Sequence, residues 1–322
     1  MRDTTLAAFG LSFMAFAAVG LAADPPAKQP GTRQRAARQD AAKGGASDAD
    51  QLKDARSYVY KKVGGAELKL YVFQPAEGVG AAPRPAIVFF FGGGWMNGSP
   101  TQFVNQSKYL ASRGMVAIVA DYRVKSRNDS TVEQSTADAL SAVRWVRGHS
   151  SELGIDPKRI AAGGGSAGGH LAAATGTLEG ADEPGEDTSV SARPNAMVLF
   201  NPALVLPSLA AIKASGDKKD LSSRFSGDPQ KMSPADHVRP GQAPSIIFHG
   251  KADTTVDIAT AEKFRDAAVK AGNRCELVAF EGQGHGFFNW NRKDKQAFAE
   301  TLEKTDRFLA SLGWLSGPPT VT

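Results

Sequence analysis

The 322 residues are 42% hydrophobic and 22% charged, which fits one large domain with a buried core or two small ones. The net charge of +5 is concentrated in one place: Lys28, Arg33, Arg35, Arg38 and Lys43 face only Asp40, a local excess of 5 − 1 = 4, so no nucleic-acid partner is read from the total. The single cysteine, Cys275, excludes an intramolecular disulfide and a thiolate metal cluster.

The chain opens with Arg2, an apolar run from Leu6 to Leu21, and small residues at Ala22 and Ala23. That is the pattern of a secretory signal peptide over residues 1–23. A retained membrane anchor is the rival reading, but the run is short and broken by Gly10, Ser12 and Gly20, so no stable membrane insertion is expected once the signal is removed. The mature protein is expected to be secreted or periplasmic. Residues 24–55 form a basic stretch without apolar periodicity, read as a disordered linker. A catalytic domain is expected over 56–316, and a short tail over 317–322.

Ordered structure is expected from about Tyr58. "YVYKKV", Gly64-Gly65 and "ELKLYVFQP" read as a hairpin. "AIVFFF" (86–91) and "MVAIVADYR" read as strands buried on both faces. "QFVNQSKYLASRG" reads as a helix, and so does "TVEQSTADALSAVRWVRGH", with an aspartate on its polar face. "IDPKRIAAGGG" begins a strand and "AGGHLAAATG" a small-residue helix. "AMVLFNP", "SIIFHG" and "CELVAF" read as further buried strands, with Cys275 a packed thiol in the last. Helices are expected in "IATAEKFRDAAVKAG" and "KQAFAETLEKTDRFLASLG". Strands alternating with helices predict an α/β fold: a mostly parallel sheet covered by helices on both faces, with an antiparallel N-terminal hairpin. The site is then expected just beyond the carboxyl ends of the strands.

Those ends carry a specific set: Gly92-Gly93-Gly94-Trp95, Gly164-Gly165-Ser166-Ala167-Gly168, Asp253 and His285. Gly164-x-Ser166-x-Gly168 fits a nucleophile elbow, whose glycines leave room for a strained serine. No Gly-Lys-Ser/Thr follows, so the phosphate-loop reading fails. A serine hydroxyl needs a base. His149 ends a helix, His170 lies in the elbow helix, His237 in a polar loop and His249 inside a buried strand. His285 sits between glycines after the last strand and is the base expected. Asp253 is the expected acid, with Asp257 its rival. The backbone N–H groups of Gly93, Gly94 and Ala167 are the expected oxyanion donors. The order Ser166, Asp253, His285 is that of the α/β-hydrolases.

"FFFGGGW", "ADYR", "GGGSAGGHLA", "HGKADTTV" and "GHGFFN" resemble the hormone-sensitive-lipase-like and acetylxylan/feruloyl-esterase-like branch of the α/β-hydrolases, over roughly Tyr58 to Leu312. One departure stands out: Phe91 occupies the place of the usual histidine before the glycines, whose part there is to brace the loop. "ADYR" is expected to be structural, with its Asp or Arg paired near the loop. The resemblance implies a serine carboxylesterase with no metal or organic cofactor. Its substrate would be a small ester or an acylated carbohydrate such as acetylated xylan, and the polar Ala203–Pro240 insert could cover the site but lacks the long apolar face of a lipase lid. Trp95, Phe287 and Trp290 are candidates for the substrate pocket, with core packing an equal reading for Phe287. Amidase, formamidase or exopeptidase chemistry on the same triad, a long-chain lipid esterase and a non-catalytic binding protein are the alternatives. Oligomeric state is not legible.

Overall fold

Gly64 and Gly65 both take positive φ, 54° and 78°, which glycine adopts without steric cost. Their turn joins β1 (Arg56–Val63) to β2 (Ala66–Phe73) as an antiparallel hairpin. The computed structural model describes residues 47–76, 82–215, 221–292 and 295–321. The predicted signal peptide and most of the basic linker lie outside the described residues. The end of that linker is helical, contrary to expectation: α1 spans Asp48–Leu52. Ser47 and Asp50 close a capping box around its first turn, and Leu52 is buried. Composition alone hid that box. Ordered chain therefore precedes Tyr58 by several residues. The C-terminal tail is also fastened: Arg113 donates to the carbonyls of Ser316 and Gly317, and the Thr320 N–H to the Tyr109 hydroxyl.

Beyond the hairpin, apolar runs form a parallel block. It comprises β3 (Arg84–Phe90), β4 (Val116–Ala120), β5 (Ile155–Gly165), β6 (Ala196–Phe200), β7 (Ser245–Gly250) and β8 (Cys275–Phe280). The eight strands run in the order β1-β2-β4-β3-β5-β6-β7-β8. β2 lies antiparallel to β4, and every pairing from β4 to β8 is parallel. From β3 the chain goes first to one neighbour, β4, and then to the other, β5. The connections thus reverse at β3, and a crevice is expected at its carboxyl end.

The longer helices are α2 (Val104–Ser112), α3 (Val132–Gly148), α4 (Ala167–Thr177), α5 (Ile258–Lys270) and, after β8, α6 (Lys295–Ser311). Alternate residues of one strand serve two cores. Ile87 and Phe89 join the cluster with Phe103, Leu110 and Phe308, whereas Val88 and Phe90 join the one with Val143 and Leu171. Residues with no polar face on either side explain the near-continuous apolar runs of β3, β4 and β6.

Two expectations need correction. β8 is not buried throughout: it is the edge strand, and Glu276 and Ala279 are exposed between buried Cys275 and Phe280. Cys275 is packed, and burial pushes its thiol pKa up. The aspartate of α3 does not face solvent either. Asp138 is fully buried and holds Lys61 at 2.9 Å and Arg123 Nε at 2.8 Å. A buried carboxylate in that place persists because two cations and the Arg123 N–H satisfy it.

Candidate active site

The glycines around Ser166 are required by contact. β5 and α4 meet so closely that a Cβ at Gly164 would lie 2.3 Å from the Gly168 carbonyl oxygen. One at Gly168 would lie 2.1 Å from that of Phe90. Ser166 sits at the apex with φ 55° and ψ −119°, strained for a residue with a side chain. Its N–H donates to the Phe200 carbonyl at 2.9 Å, which holds the strained peptide against β6.

His285 follows β8 and stands 2.9 Å from Ser166 Oγ through Nε2. Its Nδ1 is 2.7 Å from Asp253 Oδ2. Asp253, just past β7, is nearly buried. Burial raises its pKa, but hydrogen bonds from the Val256 N–H, His285 and the Thr255 N–H together outweigh that and hold the carboxyl below its ordinary range. Asp257, the rival, instead caps α5 by accepting from the Ala259 N–H. The other histidines are committed elsewhere. His170 is buried, its ring nitrogen bonds the Met232 carbonyl, and burial pushes its pKa down to about 4. His249 bonds the Val256 carbonyl at 2.8 Å and lies 3.5 Å from Asp253, its pKa also lowered by burial. His149 caps α3 and stacks on Trp145, and His237 bonds the Lys231 carbonyl.

The glycine loop approaches the serine directly: a Cβ at Gly92 would lie 3.3 Å from Ser166 Cβ. Gly93 and Gly94 have φ of 125° and 63°, and their N–H groups and that of Ala167 meet no acceptor among the described residues. Gly92 is different, for its N–H donates to Gln102 Oε1 at 2.6 Å. Phe91 replaces the histidine without leaving the loop loose. Tyr122, from "ADYR", stacks on the Phe91 ring at 4.1 Å and donates its hydroxyl to the Phe91 carbonyl at 2.7 Å. The aspartate of that motif pairs with Arg127, which lies 6.0 Å over the Phe91 ring. Arg123 turns away to Asp138 and Glu183.

Two further parts had no motif to announce them. Asn201, after β6, takes φ 42° and donates Nδ2 to Asp253 Oδ2 at 2.7 Å. Gln102 donates to Asn289 Oδ1 at 2.9 Å, and Asn289 donates to the Gly286 carbonyl at 2.8 Å. This amide chain ties the loop after β3 to the loop carrying His285. A strand-end scan that includes β6 would have found Asn201. Nothing in the sequence pairs Gln102 with Asn289, 187 residues apart.

The aromatic candidates divide. Trp95 is buried against His170 and Phe225, and Phe287 packs on Phe280 and Phe288, so both serve the core. Trp290 is 47% exposed, with the Lys295 ammonium 3.8 Å from its ring centre. Among the described residues no helix is long and apolar enough to cross a membrane.

Comparison with known proteins agrees with this architecture. The chain is 49% identical to an esterase of Thermogutta terrifontis solved with propionate bound, with a TM-score of 0.79 over 84% of this chain and 99% of that one. It is 28% identical to the esterase LipC of Mycobacterium tuberculosis over 220 residues, 64% of this chain and 53% of the relative. A probable isoprenylcysteine alpha-carbonyl methylesterase of Arabidopsis thaliana is 26% identical over 245 residues, 71% of this chain and 50% of the relative. The chain thus spans about half the length of the curated relatives it matches. Residues 70–267 match the BD-FAE family model, and with the sheet order and elbow described above this chain belongs to the BD-FAE family, among the esterases of α/β-hydrolase fold.

Proposed function

We propose that the chain is a serine carboxylesterase for short acyl esters, exported from the cytoplasm. The observation that carries the chemistry is the hydrogen-bonded line from Asp253 through His285 to Ser166, beside amides with no acceptor among the described residues. In this reading His285 Nε2 takes the Ser166 proton as Oγ bonds to the ester carbonyl carbon. The carbonyl π pair moves to oxygen, which the Gly93, Gly94 and Ala167 N–H groups receive. His285 then gives its proton to the departing alkoxide as the C–O bond breaks. Water, activated by the same imidazole, cleaves the acyl-serine and restores the hydroxyl. Asp253 keeps the Nδ1 proton in place and stabilises the imidazolium.

Short acyl groups are supported by the Thermogutta esterase, whose solved forms include propionate-bound and butyrate-bound ones. Export rests on the charged start, apolar run and small residues of 1–23. For an acylated carbohydrate, Trp290 is the remaining aromatic candidate with an exposed ring. The test is hydrolysis of 4-nitrophenyl esters of increasing acyl length. The expected result is kcat/KM highest at acetate to butyrate and falling at least about tenfold by decanoate, about 1.4 kcal/mol. Preference for decanoate would overturn the short-acyl reading, and rapid turnover of anilides with no ester activity would favour an amidase.

The Gln102–Asn289 chain gives a separate expectation. Gln102→Leu removes the acceptor of the Gly92 N–H and the donor to Asn289 while leaving Gly93 and Gly94 in place. kcat should fall by about tenfold to a hundredfold, less than or near the cost of deleting one oxyanion donor, with KM within about twofold. Inactivation by paraoxon should slow in parallel, because the phosphoryl oxygen uses the same amides. A rise in KM alone would place Gln102 in ground-state binding instead.

A further inference from the structure

Many arginines of the fold meet a carboxylate: Arg113 holds Asp306, Arg123 holds Asp138 and Arg144 holds Asp182 and Glu186. Arg147 lacks one but spends its donors on three carbonyls and Asn195. Two arginines at the catalytic edge differ from both patterns. Among the described residues Arg224, from the insert after β6, donates only Nη1, to the Gly94 carbonyl at 3.1 Å. Arg292, on the histidine loop, donates Nε to the Gly286 carbonyl at 3.1 Å and Nη2 to the His285 carbonyl at 2.8 Å. Neither meets a carboxylate among the described residues, and each keeps N–H donors without a protein acceptor.

Both are pressed onto glycines that turn at the site. A Cβ at Gly94 would lie 2.9 Å from Arg224 Nη1, and one at Gly286 would lie 3.0 Å from Arg292 Nη2. The first guanidinium therefore sits on an amide loop beside Ser166 and the second on the loop of its hydrogen-bonded histidine. Asp253 cannot neutralise them, because its oxygens are taken by Asn201, His285 and the Thr255 and Val256 N–H groups. Among the described residues, then, no carboxylate pairs with either of the two positive charges that flank the place where an ester binds. A carboxylate matches the guanidinium fork and gains from water exclusion around it.

We propose that Arg224 and Arg292 form an anion-selecting rim, so that the preferred esters carry a carboxylate. This rests on the esterase reading above. The carboxylate belongs either to the acyl part, as in a half-ester of a dicarboxylic acid, or to the alcohol part, as in an acylated acidic sugar. Two substrate pairs separate these sources, both followed by acid release at constant pH. Ethyl hydrogen succinate against ethyl butyrate places the charge on the acyl side. Acetoxyacetate against 2-methoxyethyl acetate places it on the alcohol side.

The quantity read is the anionic-to-neutral ratio of kcat/KM in each pair. Intrinsic reactivity cancels when one ratio is compared across variants. The double variant Arg224→Gln/Arg292→Gln should lower the ratio by about tenfold in at least one pair, and about 0.5 M salt should lower it in the parent protein. Arg224→Lys/Arg292→Lys keeps the charges and should hold the ratio within about threefold. The exposed Arg292→Gln variant alone, which risks the fold least, should give a smaller drop in the same pair. Ratios unchanged in the glutamine variants, with anionic and neutral esters falling together, would show that the arginines only brace the two loops and would overturn the proposal. No hydrolysis of any of the four esters by the parent protein would instead remove the esterase reading, and this proposal with it.

Discussion

On the esterase reading, Ser166→Ala should lower kcat on 4-nitrophenyl acetate by about a millionfold, the scale found when the nucleophile of a serine triad is removed. The argument is geometric. The side-chain contact of Ser166 Oγ is His285 Nε2 at 2.9 Å, so losing it deletes the attacking atom and little else. Alanine inherits the positive φ that serine already bears, and the hydrogen bond from residue 166 to the Phe200 carbonyl belongs to the main chain. The melting temperature should therefore move by no more than about 2 °C. Paraoxon provides a second readout, since the Thermogutta esterase was solved phosphorylated by it. The parent protein should gain a covalent adduct on the Ser166 peptide by mass spectrometry, and the alanine variant should gain none. An adduct elsewhere, or activity within about a hundredfold of the parent, would mean that another residue attacks.

The strand ends were the legible part of this site. Gly-x-Ser-x-Gly announces a serine at an apex because the packing of β5 on α4 admits no side chain at Gly164 or Gly168. Asp253 and His285 could be read because each follows an apolar run that had to be a strand. Phe91 illustrates the opposite case. The sequence shows which residue is missing, a histidine, but not that Tyr122 supplies the brace. That contact depends on β3 and β4 being parallel neighbours in register, Phe90 opposite Ala120. Such register is a property of the sheet and has no local signature. Arg224 and Gln102 escaped for the same reason, since their partners lie 130 and 10 residues away and are main-chain groups without a motif. Edge position was also invisible: "CELVAF" carries the apolar content of a central strand but ends the sheet, and only the exposure of Glu276 and Ala279 records that.

Asp253→Asn should lower kcat by about ten-thousandfold, through the wrong imidazole tautomer. Oδ1 of Asp253 accepts two main-chain N–H groups, from Thr255 at 2.8 Å and Val256 at 2.9 Å. An asparagine must place its amide oxygen there, because its NH₂ cannot accept. Its NH₂ then faces the other way, toward Asn201 Nδ2 and His285 Nδ1, which are donors to the carboxylate at 2.7 Å each. Donor against donor is relieved when His285 moves its proton from Nδ1 to Nε2. Nε2 can then no longer take the Ser166 proton. KM should change little, because no substrate contact is lost. Stability carries an independent sign. The folded pKa of Asp253 is held below its ordinary value, so the carboxylate stabilises the fold above the unfolded pKa of about 3.9. That contribution fades as pH falls through the depressed folded pKa. The parent protein should therefore melt above the asparagine variant at pH 7, and the gap should narrow as the pH drops toward about 3. A gap that stays constant over that range would mean that the loss comes from the Asn201 clash and not from the charge.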